Sequence, residues 1–237
     1  MTAEANDDPG QVQQSVFGGF AEGAAEALLG LLGPSLSGGV VVDVACGAGL
    51  LAERIAAAGY DVRGGDLSSD MIDLARQRVP QGRFLRASIF NVDLPPARAV
   101  VAVGEVVNRQ CAPRDDAALD RFVRRAYAAL ERGGILLFDA AAPGRAQSGA
   151  RGFAEGPGWA AGTISTEPGD ETMVRATTLF TESGGAWHRH VHEDRLSLWP
   201  REAVAEILQD AGFTVEAGNS YGRLALPPGL IRYTAQK

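Results

Sequence analysis

Apolar residues recur at helical spacing from Gln11 to Leu32 (Val12, Val16, Phe20, Ala24, Ala27, Leu28, Leu31), and "GPSLSGG" ends that run. The pattern then shortens. "VVVDVA" is continuous and apolar, as in a strand buried on both faces, and "GLLAERIAAAG" after it has a helical period with Gly59 as its stop. "YDVRGGDLS" predicts a second strand, and "SSDMIDLARQRV" a second such helix, capped by Ser68 or Ser69 and closed before Pro80. "GRFLRAS" and "ARAVVAVGEVVN" predict a third and a fourth strand, "DDAALDRFVRRAYAALERGG" a long helix and "GILLFDAAAPG" a fifth strand. Strand and helix alternating this regularly predict an α/β fold with an open, doubly wound, mostly parallel sheet.

Beyond Gly144 the texture changes. "GRAQSGARGFAEGPG" reads as a flexible loop. Three stretches of β-like alternation follow ("WAAGTISTE", "TMVRATTLFTE" and "AWHRHVHEDRLSLW"), separated by "PGD" and "SGG" turn signals. Residues 145–199 are therefore expected to form an antiparallel β insertion after the fifth strand, a lid over the strand ends. Pro200 opens another helix, and "FTVEAG" and "LIRYTAQK" are two last strands. The expected division is a disordered tail at 1–11, a main domain at 12–144 and 200–237, and the insertion between its parts.

Composition narrows the function classes. The chain has 237 residues, 46 % hydrophobic and 22 % charged, within the range of a globular domain. Its 22 basic residues fall short of 29 acidic ones, for a net charge of −7, and no basic run could track a phosphate backbone. No nucleic-acid partner is expected. No apolar run approaches the roughly 20 residues that span a bilayer, and the acidic N-terminus is unlike a signal peptide, so no membrane partner and a cytoplasmic location are expected. Cys46 and Cys111 make neither a metal-site spacing nor a disulfide framework.

The chemistry concentrates in "VVDVACGAGLLAERI". Gly47 and Gly49, with Ala52 three places on, match the G-x-G-x-x-G/A pattern of a dinucleotide loop. Yet Asp43 stands just before the turn, where a pyrophosphate would meet a carboxylate, and like charges at close range repel by kilocalories per mole when partly buried. A ligand with an ammonium and a sulfonium in place of phosphates turns that cost into a gain; S-adenosylmethionine is such a ligand. Asp66, ending the second strand, can accept from the ribose hydroxyls of any adenosine ligand.

At these residues the sequence resembles the class I S-adenosylmethionine-dependent methyltransferases. "VVDVACGAGLLA" is similar to their first motif, "GGDLSSDMIDLAR" to their acidic second strand and its helix, and "ALERGGILLFD" to the lead-in of their fifth strand; "GEVVNR" and "ILQDAGF" also resemble recurring features. The resemblance covers roughly 12–144 and 200–237. It implies a Rossmann-like sheet of seven strands, the antiparallel seventh supplied by "LIRYTAQK". It also implies that Asp43, Ala45, Gly47 and Gly49 hold the methionyl end, that Asp66 binds ribose, and that Leu67 and Met71 pack on the adenine. Ser88 and Ile89 would flank the adenine edge, where many members carry an aspartate instead of Ser88; Gly104 and Glu105 would line the cofactor's other side.

The expected activity is methyl transfer to nitrogen or oxygen of a small-molecule acceptor, by a monomer or homodimer. The alternatives are a nicotinamide-dependent oxidoreductase and a non-catalytic S-adenosylmethionine-binding protein. Asp139 reads as a turn cap, and Glu105 and Asn108 either bind ligand or close their loop. Trp187, Trp199 and Phe180 read as core of the insertion. The three histidines, His188, His190 and His192, share one face of a strand with Leu196 and Leu198, a face expected to turn toward the protein. Ligands from one strand alone rarely close a coordination sphere, so no metal is expected. A structural role competes with that of general base, for which His192 and then His190 are the candidates.

Overall fold

The computed structural model describes residues 9–33, 38–146 and 150–237. Helix α1 (Pro9–Leu32) comes first. Its start takes residues 9–11 from the expected tail, and proline suits a first helical turn, where its missing N–H has no intrahelical partner to lose; residues 1–8 lie outside the described part. There follow β1 (Val40–Val44), α2 (Leu50–Ala57), β2 (Asp61–Asp66), α3 (Ser69–Arg78), β3 (Arg83–Arg86), β4 (Ala97–Ala102), α4 (Val106–Gln110), α5 (Asp116–Ala129) and β5 (Leu130–Ala141).

The expected flexible loop contains a strand, β6 (Ala150–Gly156). With β7 (Trp159–Gly169), β8 (Thr172–Ser183) and β9 (Ala186–Ser197) it forms an antiparallel sheet of four strands, in that order, where three were expected. The chain closes with α6 (Arg201–Asp210), β10 (Thr214–Gly218), a small hairpin of β11 (Ser220–Tyr221) and β12 (Leu224–Ala225), and β13 (Leu230–Gln236).

The main sheet has seven strands in the order β10-β13-β5-β4-β1-β2-β3. Only β13 runs against its neighbours, pairing antiparallel with both β5 and β10. Successive residues point to opposite faces, which sorts the core into two clusters. Val41, Ile135 and Leu137 meet α1, α2 and α3 through Leu28, Ile55 and Ala75. Val42, Leu136 and Phe138 meet α5 and α6 through Phe122, Val204 and Leu208. Cys46 belongs to the first cluster and Cys111 to the second; both are buried free thiols.

The chain runs from β1 out to β3 and returns to the other side of β1 at β4. A crevice opens at such a reversal, beyond the carboxyl ends of β1 and β4. The fourth strand stops sooner than "ARAVVAVGEVVN" suggests: Gly104 and Glu105 take positive φ (100° and 59°), which ends the strand and turns Val106–Gln110 into a short helix. The insertion is rooted in the main core, where Met173, Leu196 and Leu198 are buried beside α1 and the sheet. Trp199 is fully buried too, but in the main domain, its indole N–H donating to Asp116 at 2.7 Å. Trp187 and Phe180, expected as insertion core, are 56 % and 40 % exposed because they lie on the sheet's outer face.

Candidate functional site

The crevice holds a cavity of about 600 Å³, within the range of small-molecule sites. Its floor is the loop between β1 and α2. Ala45 and Gly47 take left-handed φ (58° and 52°), so the chain reverses tightly and turns backbone toward the opening. Gly49 caps α2 at φ 78°, and a Cβ there would stand 3.1 Å from the Cα of Ala75 on α3. Glycine is what lets α3 approach this loop.

Two carboxylates face the cavity. The Asp66 carboxylate accepts from the Gly47 N–H at 3.0 Å and the Ser68 N–H at 2.9 Å, which fixes the second strand's end against the first loop. Ser68 then caps α3 by accepting from Met71 N–H. Asp43 is 3 % exposed, and its Oδ2 has no hydrogen-bond partner. Burial first, then the charge of Asp66, push its carboxyl up to about 8, against a hydrogen bond from the Ala52 backbone that lowers it. A buried, unpartnered carboxylate oxygen in a cavity wall calls for a cationic or donor ligand.

Of the expected cofactor residues, Asp43, Ala45, Gly47, Asp66, Leu67, Ser88 and Gly104 line the cavity together. The other four do not. Gly49 acts from behind, through the α2–α3 contact. Met71 contributes its backbone N–H to the Ser68 cap. Ile89 is fully buried, its N–H held by Gln110 Oε1 and its carbonyl by Arg125. Glu105 turns away into an ion pair with Arg175 (2.6 Å) and Arg145 (3.1 Å). Burial tends to raise its carboxyl, but the Arg175 hydrogen bonds and charge, with Arg145 and Arg109, outweigh that and hold it below the usual range.

The neighbouring polar residues close the loop. Asn108 donates to the carbonyls of Ala141 and Ser197 and accepts from Ala141 N–H, tying β5 to β9. Asp139 is the expected cap: it accepts from Gly104 and Glu105 N–H and from the Tyr221 hydroxyl (2.8, 2.5 and 2.9 Å). Burial raises its carboxyl to about 6 despite these bonds.

The histidines do not reach the cavity. Their face is the predicted one, shared with buried Leu196 and Leu198, but the sheet projects past the main domain before it reaches them. His190 and His192 are exposed, and the latter's Nε2 lies 3.0 Å from Asp194, which pairs with cavity-lining Arg109 at 3.5 Å. The expected base is thus two contacts from the cavity wall. Sequence reading missed the opposite wall, Phe17, Phe20 and Ala21 of α1, along with Phe90, Arg109 and Gln110. The helical period of α1 was visible, but nothing local says that its apolar stripe runs past the sheet's edge to cover a site.

A family model described as a methyltransferase domain matches residues 41–134, from β1 to the start of β5. Over that stretch the chain is similar to the class I S-adenosylmethionine-dependent methyltransferases. A curated relative, the malonyl-[acyl-carrier protein] O-methyltransferase of Serratia marcescens, is 31 % identical over 122 residues, which are 52 % of this chain and 46 % of the relative. The match thus spans about half the length of this chain and less than half of that relative. Among solved structures, an S-adenosylmethionine-dependent methyltransferase from Clostridium acetobutylicum ATCC 824 superposes with TM-score 0.80 at 14 % identity, over 96 % of each chain. CalS10, an amino pentose methyltransferase from Micromonospora echinaspora, was solved with bound S-adenosylmethionine; it superposes with TM-score 0.76 at 19 % identity, over 99 % of each. These structures share the fold of this chain, insertion included. S-adenosylmethionine is the methyl donor of the family, and the cavity fits it: the orphaned Asp43 oxygen suits a cationic amino acid end, and Asp66 has lone pairs left for ribose hydroxyls.

Proposed function

We propose that this methyltransferase moves the methyl of S-adenosylmethionine to a nitrogen or oxygen of a small molecule held between the cofactor cavity and α1. The observation that carries the reading is the pair of cavity carboxylates, one of them buried with an unpartnered oxygen. A pyrophosphate would meet both, which disfavours a nicotinamide cofactor. In this reading Asp43, Ala45 and Gly47 hold the methionyl end, Asp66 the ribose, and Leu67, Ser88 and Phe90 the adenine. Bound there, the cofactor supplies an electrophilic methyl on an excellent leaving group.

The chain's remaining task is to align the acceptor and exclude water. Phe17, Phe20 and Val106 offer apolar wall for this, and Arg109 and Gln110 the polar contacts. An amine arriving neutral needs no base, which accords with histidines standing outside the cavity. The named relatives act on an amino pentose and on malonyl-[acyl-carrier protein], acceptors with nitrogen or oxygen nucleophiles. The net charge of −7 argues against a nucleic acid.

Calorimetric titration with S-adenosylmethionine and with NAD tests the cofactor; methyl-labelled cofactor with a panel of amino sugars, hydroxylated metabolites and carboxylic acids tests the transfer. Binding of NAD in preference would overturn the site reading. Tight cofactor binding with no methyl transferred across the panel would favour the non-catalytic alternative.

A further inference from the structure

The cavity is polarised. Its floor carries the carboxylates of Asp43 and Asp66, and among the described residues that line it the one cation is Arg109 of α4. The two carboxylates suit the cofactor's cationic amino acid end and its ribose, and neither calls for an arginine. A guanidinium in a wall shared with Phe17, Phe20 and Val106 suits a different partner, a small molecule with an apolar body and a negative charge.

The surroundings leave that charge available. Arg109 Nη2 lies 3.5 Å from Asp194 of β9, long for a charge-assisted hydrogen bond, and the arginine side chain is 39 % exposed. Asp194 is itself divided among cations: His192 Nε2 approaches it at 3.0 Å, and Arg175 stands opposite it in the β8–β9 ladder. Glu105 is taken up by Arg145 and Arg175. Three guanidiniums thus share two carboxylates along this side of the cavity, and Arg109 is the one that lines the opening. The backbone beneath it is fixed. Asn108 bonds Ala141 and Ser197, and Gln110 accepts from Ile89 N–H at 3.0 Å. The apolar rim reaches the same segment, since the Phe17 ring comes within 4.0 Å of where a Cβ on Gly104 would stand. From that set point the planar fork of Arg109 suits the paired oxygens of a carboxylate or phosphate.

We propose that Arg109 determines specificity for the acceptor, selecting small molecules that carry an anionic oxygen group, carboxylate or phosphate, on an apolar body. The inference rests on the methyl-transfer reading above and names the acceptor class within it. With the cofactor's sulfonium and Arg109 both positive, the space between them disfavours an ammonium and favours an anion. A carboxylate can itself be the nucleophile: its oxygen lone pair bonds the methyl carbon as the breaking S–C pair passes to sulfur, and no proton moves. Where the anion stands beside an amine, the neutral nitrogen takes the methyl and the ammonium so formed loses its proton to water. Neither route needs a general base, in keeping with histidines that stand outside the cavity.

Calorimetric titration of the full chain, loaded with the demethylated cofactor S-adenosylhomocysteine, tests this with benzoate, phenyl phosphate and neutral benzamide as probes. Loading checks the parent reading separately: a chain that takes up neither form of the cofactor refutes that reading, and the proposal falls with it. The loaded wild type should bind at least one of the anions about tenfold or more tightly than benzamide, and the tighter of the two tells a carboxylate acceptor from a phosphate one. Arg109→Gln should erase the preference while cofactor affinity stays within about threefold. Arg109→Lys, which keeps the charge and loses the fork, should retain part of it. A wild-type preference below about threefold, no binding of either anion, or a preference unchanged in Arg109→Gln overturns the proposal. So does an Arg109→Gln chain that loses cofactor affinity by about tenfold or more, because Arg109 would then serve the cofactor's own carboxylate.

Discussion

Asp43 makes cofactor binding a proton-linked event. In the empty site its carboxyl is pushed up to about 8, chiefly by burial and then by Asp66, so at neutral pH it is largely protonated. A ligand cation beside it favours the carboxylate and pulls the pKa down. Binding below pH 8 must therefore expel a proton, and affinity should rise with pH up to about 8 and level off. Each pH unit below the free-site value costs 1.36 kcal/mol. The site should thus bind about tenfold more weakly at pH 7 than on the plateau, and about a hundredfold more weakly at pH 6.

Titration calorimetry in buffers of different ionisation enthalpy should count about 0.8 proton released at pH 7 and close to none at pH 8, where the half proton leaving Asp43 is offset by the half taken up by the ligand's α-amino group. The ligand's own α-amino group loses its proton near pH 8, so a falling limb follows at higher pH. Asp43→Asn separates the two: it should remove the rising limb and keep the falling one. The same carboxyl bears on stability with a definite sign. Its folded pKa exceeds the unfolded one, so the stability it confers is full below about pH 4 and is lost as pH rises toward 8. Ligand-free Asp43→Asn should accordingly melt higher than wild type at pH 8. Affinity independent of pH between 6 and 8, with no proton released, would refute this account of Asp43.

Gly49→Ala adds a Cβ 3.1 Å from the Ala75 backbone at φ 78°, so α3 must shift; cofactor affinity should fall by about tenfold in a chain that stays folded, on the scale of left-handed strain. Asn108→Ala strands one N–H and two carbonyls inside the protein and should cost on the order of 3 kcal/mol by denaturant titration, with Asn108→Asp recovering only the bond from Ala141 N–H. His190→Ala and His192→Ala should keep kcat within a few-fold at all pH values. A loss of about a hundredfold that shrinks at high pH would restore either one as general base and require the sheet to close over the cavity.

The strand–helix alternation and the first loop were legible because each is a local matter. Valine runs, glycine stops and a carboxylate before a glycine turn all show within ten residues. What went unread depends on distant partners. "ARAVVAVGEVVN" looks like one long strand since Val106 and Val107 are as β-prone as what precedes them; the break at Gly104 and Glu105 is imposed by Asp139, 34 residues from Glu105, and by Arg175, 70 residues from it. Strand β6 hid in a glycine-rich stretch because its ladder partner, β7, supplies the pattern that its own sequence lacks. The histidine face was read correctly from its alternation, but a period of two carries no information about where a sheet leaves the body it is rooted in.

The segment from Gly104 to Gln110 joins these threads. Gly104, Val106, Arg109 and Gln110 are cavity wall, while Glu105 and Asn108, between them, are buried anchors to the insertion. The anchors are satisfied only with β8 and β9 in place. Were the insertion to swing away, Glu105 would lose the closer of its two arginines and Asn108 its Ser197 acceptor; breaking a buried ion pair alone costs about 3–5 kcal/mol. That is too much for an opening repeated at each turnover. The insertion is therefore better described as a fixed buttress behind this wall than as a hinged lid, and excising 145–199 should cripple the cofactor cavity along with turnover, because it removes the cations that hold Glu105 and with them the wall on either side. Access for small molecules then falls to the other wall, where α1 presents Phe17, 42 % exposed, at the cavity's rim.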